Sequence, residues 1–215
     1  TLSSQVRINQ SVSRRNNLLG HLELHHKLRH FCLMRDKNVS NRTLILNAAF
    51  DVFSQNPGAS LAEVATQAGV GRATLHRYFA GRDDLMVALT LTAAQELDAA
   101  VEAAVAECTT YTEGLRVALG AILPLAARHM FLATEAASND PRVLEVYAAQ
   151  ERDLSNDIEA AKAEGTFAPH VPTAWIVQAY DNLIYAGWAM VAAGDATPKQ
   201  AADLAWRTLT KGLKP

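Results

Sequence analysis

Apolar residues recur every three to four positions along most of the chain beyond residue 40, which is the period of helices with one buried face. The first such segment spans about residues 40–55, and its pattern predicts that Leu44, Ala48, Val52 and their neighbours are buried. The pair Pro57-Gly58 follows and is typical of a helix end. No segment shows the strict alternation of a half-buried strand. The pattern therefore predicts an all-α fold.

The segment from Ser60 to Phe79 predicts two short helices joined by a tight turn. Ser60 and Glu63 have the S-x-x-E spacing of a capping box, which satisfies free N–H groups at a helix start. Gly69 supplies the backbone freedom that a sharp reversal needs. One apolar stripe precedes the turn, formed by Leu61, Val64, Ala65 and Ala68, and a second helix follows it with Leu75 and Phe79 directed inward.

Two helices of this kind form a helix-turn-helix, which lays its second helix in the major groove of DNA. Arg72 and Thr74 lie in the half of that helix that reaches base edges, where arginine can bridge guanine and a threonine methyl can contact a thymine methyl. Tyr78, His76 and Arg82 are placed to contact phosphates and fix the register. The predicted DNA-binding residues are Arg72, Thr74, His76, Arg77, Tyr78 and Arg82.

Four stretches of this region resemble the DNA-binding head of TetR-type transcriptional regulators. They are Leu44–Phe53, Leu61–Val70, Thr74–Phe79 and Arg82–Leu85. The resemblance is detailed over about residues 40–90, and beyond them it rests on length and the helical pattern. It implies an N-terminal three-helix helix-turn-helix domain and a C-terminal helical ligand-binding and dimerisation domain.

The resemblance also implies domain limits and a function. Residues 1–39 would be an extension, flexible or partly helical, with the DNA-binding domain at 40–86 and the ligand-binding and dimerisation domain at 87–215. The function implied is that of a ligand-responsive regulator, most often a repressor. Such a protein binds a palindromic operator as a homodimer and is released by a small, largely apolar molecule.

Two departures from the family pattern support an alternative. Gly71 stands where the family usually has Ser or Thr, and His76 replaces a frequent Tyr. Residues 40–86 also carry four basic and four acidic side chains, so the predicted head is nearly neutral. The alternative is a small-molecule-binding or scaffold protein whose helix-turn-helix no longer binds DNA.

Further helices are predicted at residues 83–107, 112–127, 128–137, 141–164, 172–193 and 198–212. Asp83 is expected to cap the first of these, and Pro124 is expected to kink or end the second. Asp140 followed by Pro141 has the order of a cap and a first helical residue. The pair Thr197-Pro198 opens the last helix in the same way.

The last two predicted helices are rich in alanine and suit a four-helix dimer interface, where small residues let backbones approach. A dimer supplies the two-fold symmetry that a palindromic operator needs. The residues expected on this side are Trp175, Ile176, Ala179, Leu183, Ala186, Met190, Leu204, Ala205, Thr208 and Leu209. The alternative is that they only complete the core of one chain.

Aromatic and apolar residues with a few polar groups predict a pocket for a drug-sized, largely apolar effector. The expected lining is Tyr111, Leu123, Met130, Phe131, Tyr147, Tyr185 and Trp188. His129 and Glu135 are candidates to orient the effector. The same residues would also suit a plain core.

Composition and the absence of known motifs argue against several other classes of protein. The chain of 215 residues has a net charge of −2, which argues against a protein that coats nucleic acid. It has no run of eighteen apolar residues, no secretory signal and no CxxC pair, so we expect a cytoplasmic protein with free thiols at Cys32 and Cys108. The motifs G-x-S-x-G, H-E-x-x-H, G-x-G-x-x-G and the P-loop are absent. Glu96, Asp98 and Glu102 lie at helical spacing and suggest a solvated helix face. Together with the absent motifs, this leads us to expect no enzyme activity, metal site or cofactor.

The first 39 residues carry seven lysines and arginines against two acids. One hypothesis is a basic arm that follows DNA phosphates or enters a minor groove. Another is a metal sensor, because His21, His25, His26 and His30 form two pairs at i, i+4 spacing near Cys32. A solvated histidine-rich helix face is the simpler interpretation.

Overall fold

The computed structural model describes residues 38–129, 131–132 and 139–213, and of residues 38–40 and 126–127 only the backbone is described. These residues form helices and loops with no strand among them, which confirms the predicted all-α fold. The chain divides into two compact units, residues 1–43 and residues 44–215. Of the first unit only residues 38–43 are described, and they belong to helix α1. The predicted N-terminal arm and its histidines lie outside the described residues.

The first three helices are α1 (Asn38–Gln55), α2 (Leu61–Gln67) and α3 (Arg72–Tyr78). The predicted capping box is present: the Glu63 amide donates to Ser60 Oγ at 3.3 Å, and the Ser60 amide donates to Glu63 Oε2 at 2.7 Å. After α2, Gly69 has a φ of +67°, the left-handed conformation that glycine adopts most readily. The amides of Gly69 and Val70 donate back to the carbonyls of Thr66 and Ala65. This Schellman-type turn sets the direction in which α3 leaves.

Helix α1 buries a stripe one residue away from the one predicted. Leu44 is 48% exposed, whereas Ile45, Ala49 and Phe53 are fully buried. The prediction that Leu44 is buried was therefore wrong, although Ala48 is buried as expected. Both stripes have helical spacing in an apolar sequence, so periodicity alone does not distinguish them; in the fold, Phe53 packs against Phe131.

Helix α4 (Arg82–Val105) begins differently from the prediction. Gly81 is its N-cap and makes no side-chain capping bond, and Asp83 lies in the first turn. The expectation that Asp83 caps the helix was wrong, and the neighbouring Asp84 accepts the Ala80 amide at 3.2 Å. The helix continues through the predicted domain limit at 86/87, and its first three turns complete the core that α1, α2 and α3 share.

The C-terminal part contains α5 (Tyr111–Ile122), a 3-10 turn (Leu123–Leu125), α6 (Ala126–His129), α7 (Pro141–Ala163), α8 (Thr173–Ala193) and α9 (Pro198–Lys211). The proline and cap predictions are confirmed here. Pro124 lies in the 3-10 turn that ends α5, and Asp140 accepts the Arg142 amide at 2.9 Å at the start of α7. Thr197 forms a second capping box, with Gln200.

Two side-chain hydrogen bonds connect helix α8 to the middle and the end of α5. Tyr180 Oη donates to the Leu115 carbonyl at 2.8 Å, and Trp188 Nε1 donates to the Ile122 carbonyl at 3.2 Å. Gly187 lets α8 approach the 3-10 turn, because a Cβ there would lie 2.4 Å from Leu123 Cδ1. Among the described helices, none is long and apolar enough to cross a membrane.

Candidate nucleic-acid and effector sites

The exposed surface of α3 carries most of the predicted DNA-binding residues. Arg72, His76 and Arg77 are exposed, and Thr74 and Tyr78 are half-buried. The opposite face is fixed, because Leu75 and Phe79 are buried in the core as predicted. The guanidinium of Arg77 lies 5.5 Å from the centre of the Tyr78 ring. These side chains therefore form one polar surface on a helix whose rotation is set by its buried face.

Arg82 has a different environment from the other predicted contacts. Its Nη1 donates to the Ala59 carbonyl at 2.8 Å, its Nη2 donates to the Pro57 carbonyl, and its guanidinium lies 4.4 Å from the centre of the Phe53 ring. The side chain thus connects the start of α4 to the loop between α1 and α2. These bonds direct the guanidinium of Arg82 towards the protein backbone. A phosphate contact would therefore have to use the same guanidinium group that already donates to the Ala59 and Pro57 carbonyls.

One further residue of this surface, Ala73, was not singled out from the sequence. Ala73 is exposed next to Thr74, and a methyl group there suits contact with a thymine methyl. Gly71 is the N-cap of α3 and makes no side-chain capping bond, in line with the departure noted from the sequence. The sequence signal for Ala73 is its position between Arg72 and Thr74 on α3, since a methyl group gives no signal in charge or hydroxyl content.

The predicted effector residues fall into two separate groups. Leu123 and Trp188 are buried in the core of α5, α7, α8 and α9, and Tyr111 packs at its edge. Phe131 instead lies in the core of the first helices, 6.1 Å from Phe50 and 6.2 Å from Phe53 between ring centres. The expectation that Phe131 lines one pocket with Leu123 is not supported. Met130 and Glu135 lie outside the described residues.

Tyr147 on α7 and Tyr185 on α8 remain partly open to solvent, at 42% and 51% exposure. Tyr185 meets Trp188 edge to face, with 5.7 Å between ring centres. Partial burial raises the pKa of both tyrosines. Tyr185 raises the pKa of Tyr147 further, and the Asp181 carboxylate raises the pKa of Tyr185 further. Burial and the Glu151 carboxylate raise the pKa of Asp181 to about 6. Sequence reasoning identified the tyrosines and missed Asp181, because the partial burial of its side chain depends on how α7 packs against α8.

A third cluster connects α6 to α4 and α1. Arg128 donates two hydrogen bonds to Glu96, from Nε to Oε2 at 3.0 Å and from Nη2 to Oε1 at 3.1 Å. Its Nη2 also donates to Asn47 Oδ1 at 3.0 Å, and its guanidinium lies 4.0 Å from the centre of the Phe50 ring. His129 Nε2 lies 2.7 Å from Glu96 Oε2. Glu96 was expected on a solvated face, and that expectation was wrong.

The ionisation of this cluster follows from its contacts. Burial would raise the pKa of Glu96, but hydrogen bonds from Arg128 and His129 outweigh it and hold the pKa below its ordinary value. Burial lowers the pKa of His129, Glu96 raises it, and Arg128 lowers it, so that the pKa lies below its ordinary value. His129 is therefore neutral near pH 7, with Nε2–H donating to the Glu96 carboxylate. Its buried Nδ1 has no hydrogen-bond partner among the described residues.

The outer face of α8 and α9 carries apolar side chains without a covering element in the described chain. Trp175 is 71% exposed, and Met190, Leu204 and Ala186 are also exposed. Other residues predicted for an interface complete the core instead, as Ile176 and Ala205 are buried. The two helices thus have an inner face that packs within the chain and an outer apolar face that no other described helix covers.

Comparison with known proteins shows a matching family model, a similar repressor and similar solved structures. The family model described as bacterial regulatory proteins, tetR family, matches residues 45–89, from α1 into α4. The HTH-type transcriptional repressor LfrR of Mycolicibacterium smegmatis is 31% identical over 176 residues, which cover 80% of this chain and 89% of the relative.

Two solved structures have a similar fold. The TetR-like transcriptional regulator LfrR from Mycobacterium smegmatis, in complex with proflavine, has a TM-score of 0.69 at 29% identity and covers 82% of this chain and 97% of that one. The fatty acid degradation regulator FadR from Bacillus halodurans has a TM-score of 0.66 at 20% identity, with coverage of 81% and 96%. The second likeness concerns the fold alone.

Proposed function

The chain belongs to the TetR family of bacterial regulatory proteins, and from that premise we propose that it is a transcriptional repressor that binds an operator through α3. The observation that carries the proposal is the surface of α3. Arg72, His76 and Arg77 are exposed there, while buried Leu75 and Phe79 fix the rotation of the helix. Because its buried face fixes its rotation, this seven-residue helix can lie in a major groove with its polar side chains directed towards the DNA.

Different residues of this surface have different proposed roles. Arg72 and Thr74, with Ala73 beside them, contact base edges, and His76, Arg77 and Tyr78 contact phosphates. Arg82, which we expected at a phosphate, acts chiefly by joining α4 to the loop before α2. This junction keeps α3 in place relative to the long helix α4.

We further propose that the outer faces of α8 and α9 form the homodimer interface. The exposed apolar residues Trp175, Met190 and Leu204 support this assignment, since a face of this kind is normally covered by a partner. The dimer gives two copies of α3 related by a two-fold axis, which matches a palindromic operator.

A small molecule would release the repressor by preferring the form that does not fit DNA, and only its differential affinity drives the change. The related LfrR has been solved with proflavine, so a planar tricyclic molecule is a reasonable first probe. The cluster of Glu96, Arg128 and His129 is our candidate for the coupling element, because it ties α6 to α4 and, through Asn47, to α1. Regulation of this kind requires no catalytic residue and no cofactor.

The proposal is tested by operator binding as a function of salt. A regulator binds its operator more weakly as salt rises, because phosphate contacts release counterions. Arg72→Ala should relax the preference for operator over unrelated duplex, whereas Tyr78→Phe should weaken binding similarly across sequences. The exposed Arg152 on α7 provides a matched control, and Arg152→Gln should bind as the unchanged protein does.

The alternative, a small-molecule-binding or scaffold protein with a helix-turn-helix that no longer binds DNA, rests on the uncapped start of α3 at Gly71. It predicts weak binding with no preference for any sequence. Equal binding of operator and unrelated duplex by folded, dimeric protein would favour it over the repressor.

A further inference from the structure

Two connections join the DNA-binding head, defined here as residues 45–89, to the C-terminal part of the chain. The first is helix α4, because Leu89 lies in the core of the first helices and Leu97 packs against the core of α5, α7, α8 and α9. The second is made by the end of α6 and the residues that follow it. Phe131 lies in the core of the first helices and Leu132 packs against it, although both come after α5 in the chain.

Phe131 contacts both buried phenylalanines of α1. Its ring centre lies 6.1 Å from that of Phe50 at an interplanar angle of 74°, and 6.2 Å from that of Phe53 at an angle of 52°. Phe131 is only 8% exposed, and its two partners are fully buried. Tilted and edge-on aromatic pairs at these separations have a preferred geometry, so the ring fixes the chain after α6 at one position along α1.

Two guanidinium groups lie against the same pair of phenylalanines. Arg128 on α6 lies 4.0 Å from the centre of the Phe50 ring, and Arg82 at the start of α4 lies 4.4 Å from the centre of the Phe53 ring. Arg82 also donates to the Ala59 carbonyl in the loop before α2. A shift of α1 relative to α6 would therefore disturb contacts at α6, at the start of α4 and at the loop before α2.

The second connection restricts how the head can move. Two parts of a chain that share a single helix and a small interface are expected to move relative to each other. An attachment at a second point, away from the axis of α4, opposes rotation of the head about that helix. Helix α3 follows the head, because Leu75 and Phe79 lie in the same core as Phe131. In a dimer, the orientation of each head sets the distance and the rotation between the two α3 helices, and these fix the half-site spacing of the operator.

We propose that Phe131 is a positioning residue for operator binding, and that its contacts with Phe50 and Phe53 set the half-site spacing that the dimer accepts. The proposal rests on the proposed function, since it requires two heads on one operator. Phe131 is buried and presents no surface to DNA, so it does not choose the bases that each α3 contacts. Its effect is on the separation between half-sites and not on the sequence within them.

Operators with altered spacing test this role in the full chain. The probes are a two-fold symmetric operator selected from a random duplex pool and two versions with one base pair inserted or removed at its centre. Each change rotates one half-site by about 35° and shifts it by about 3.4 Å relative to the other. In fluorescence anisotropy, the unchanged protein should bind the altered operators at least tenfold more weakly than the original. For Phe131→Ala this ratio should fall to threefold or less, with the base preference within each half-site unchanged.

A matched control separates positioning from loss of stability. Phe167 is 7% exposed in the other core, and its ring meets that of Trp206 at 6.5 Å and 70°. Phe167→Ala removes a ring of similar burial and should keep the tenfold ratio. Phe131→Leu retains apolar contact without the ring and should give an intermediate ratio, which keeps the test available if Phe131→Ala does not fold. Circular dichroism and sedimentation establish that each protein compared is folded and dimeric.

The distance between the head and α7 gives a second readout that needs no DNA. Spin labels are attached at Thr66→Cys on α2 and Arg152→Cys on α7, both exposed positions, with the two native cysteines replaced by serine. Labelled chains are diluted with unlabelled protein, so that double electron–electron resonance measures the distance within one chain. Phe131→Ala should broaden the distance distribution at least 1.5-fold, whereas Phe167→Ala should leave its width unchanged.

A folded, dimeric Phe131→Ala variant that keeps the tenfold ratio would overturn the inference, as would equal relaxation of the ratio by Phe167→Ala. Absence of operator preference in the unchanged protein would remove the proposed repressor function. The label distances then decide the inference by themselves. A broader distribution in Phe131→Ala would keep Phe131 as the residue that orients the head, and an unchanged distribution would overturn that role.

Discussion

Replacing Arg128 with glutamine tests the cluster that connects α6 with α4 and α1. Glutamine keeps a polar side chain of moderate length but removes the charge and the forked guanidinium. The substitution abolishes the paired bonds to Glu96, weakens the bond to Asn47 and removes the cation from the face of Phe50. Glu96 keeps its hydrogen bond with His129, so the carboxylate is not left alone.

The expected loss of stability is about 2 kcal/mol. The side chains of Arg128 and Glu96 are both about one-third exposed, so solvent screening limits the ion pair to about 0.5–1 kcal/mol despite its forked geometry. The cation over Phe50 contributes roughly 0.5–1 kcal/mol, and the bond to Asn47 contributes a similar amount. For a chain of this size, the loss corresponds to a melting temperature lower by roughly 4–8 °C.

Urea unfolding followed by circular dichroism measures this change directly. The control Arg152→Gln removes an exposed arginine from α7 and should alter the free energy of unfolding by less than about 0.5 kcal/mol. A double-mutant cycle with Glu96→Gln should give a coupling energy of about 1 kcal/mol. If Arg128→Gln were as stable as the control variant, the cluster would not connect these helices energetically.

The effect of Arg128→Gln should also depend on pH. The pKa of Glu96 is held below its ordinary value of 4.5, so its contribution to stability is complete above that value and is lost as pH falls through the folded pKa. The difference between Arg128→Gln and the unchanged protein should therefore be largest near pH 7 and shrink below pH 4.5. A difference that is constant from pH 7 to pH 3 would show that the ion pair with Glu96 contributes nothing and that the contacts with Phe50 and Asn47 supply the stability.

Three further outcomes follow from single contacts. Tyr180→Phe removes the buried hydroxyl that donates to the Leu115 carbonyl in α5. Because one buried hydrogen bond between α8 and α5 is lost, the free energy of unfolding measured by urea titration should fall by about 1 kcal/mol. Gly69→Ala forces a Cβ into the left-handed region and should cost about 1–2 kcal/mol; an unchanged urea midpoint would contradict the strain argument. The folded-state pKa of Asp181 is raised to about 6, so its ionisation lowers the stability of the fold as pH rises through that value. Asp181→Asn removes this cost and should stabilise the protein by on the order of 1 kcal/mol at pH 8. That gain should disappear below pH 4, and stability profiles of the two proteins that stay parallel would refute it.

Local signals in the sequence were sufficient for most helix limits. Caps and breakers act over four residues or fewer, so the capping boxes at Ser60 and Thr197 and the breaks at Gly69 and Pro124 could be predicted without the fold. The start of α4 could not, because Asp83 and Asp84 are equally plausible caps and the observed N-cap is Gly81.

Contacts between distant residues were the part that the sequence did not predict. Arg128 and Glu96 are 32 positions apart, and Arg82 reaches a carbonyl 25 positions away, so neither pairing has a spacing to detect. Periodicity placed Glu96 on a polar face, but it does not say which neighbour that face meets. The separation of Phe131 from Leu123 has the same origin, since apolar residues on either side of the short helix α6 pack into different cores.

The most direct test of the central claim is selection of bound sequences from a random duplex pool with the full chain at moderate salt, followed by sequencing. Binding through a pair of α3 helices predicts enrichment of a two-fold symmetric sequence, and Arg72→Ala should lose preference at specific positions of each half-site. Folded, dimeric protein that enriches no sequence, or an Arg72→Ala variant that selects the same consensus with equal strength, would contradict the account.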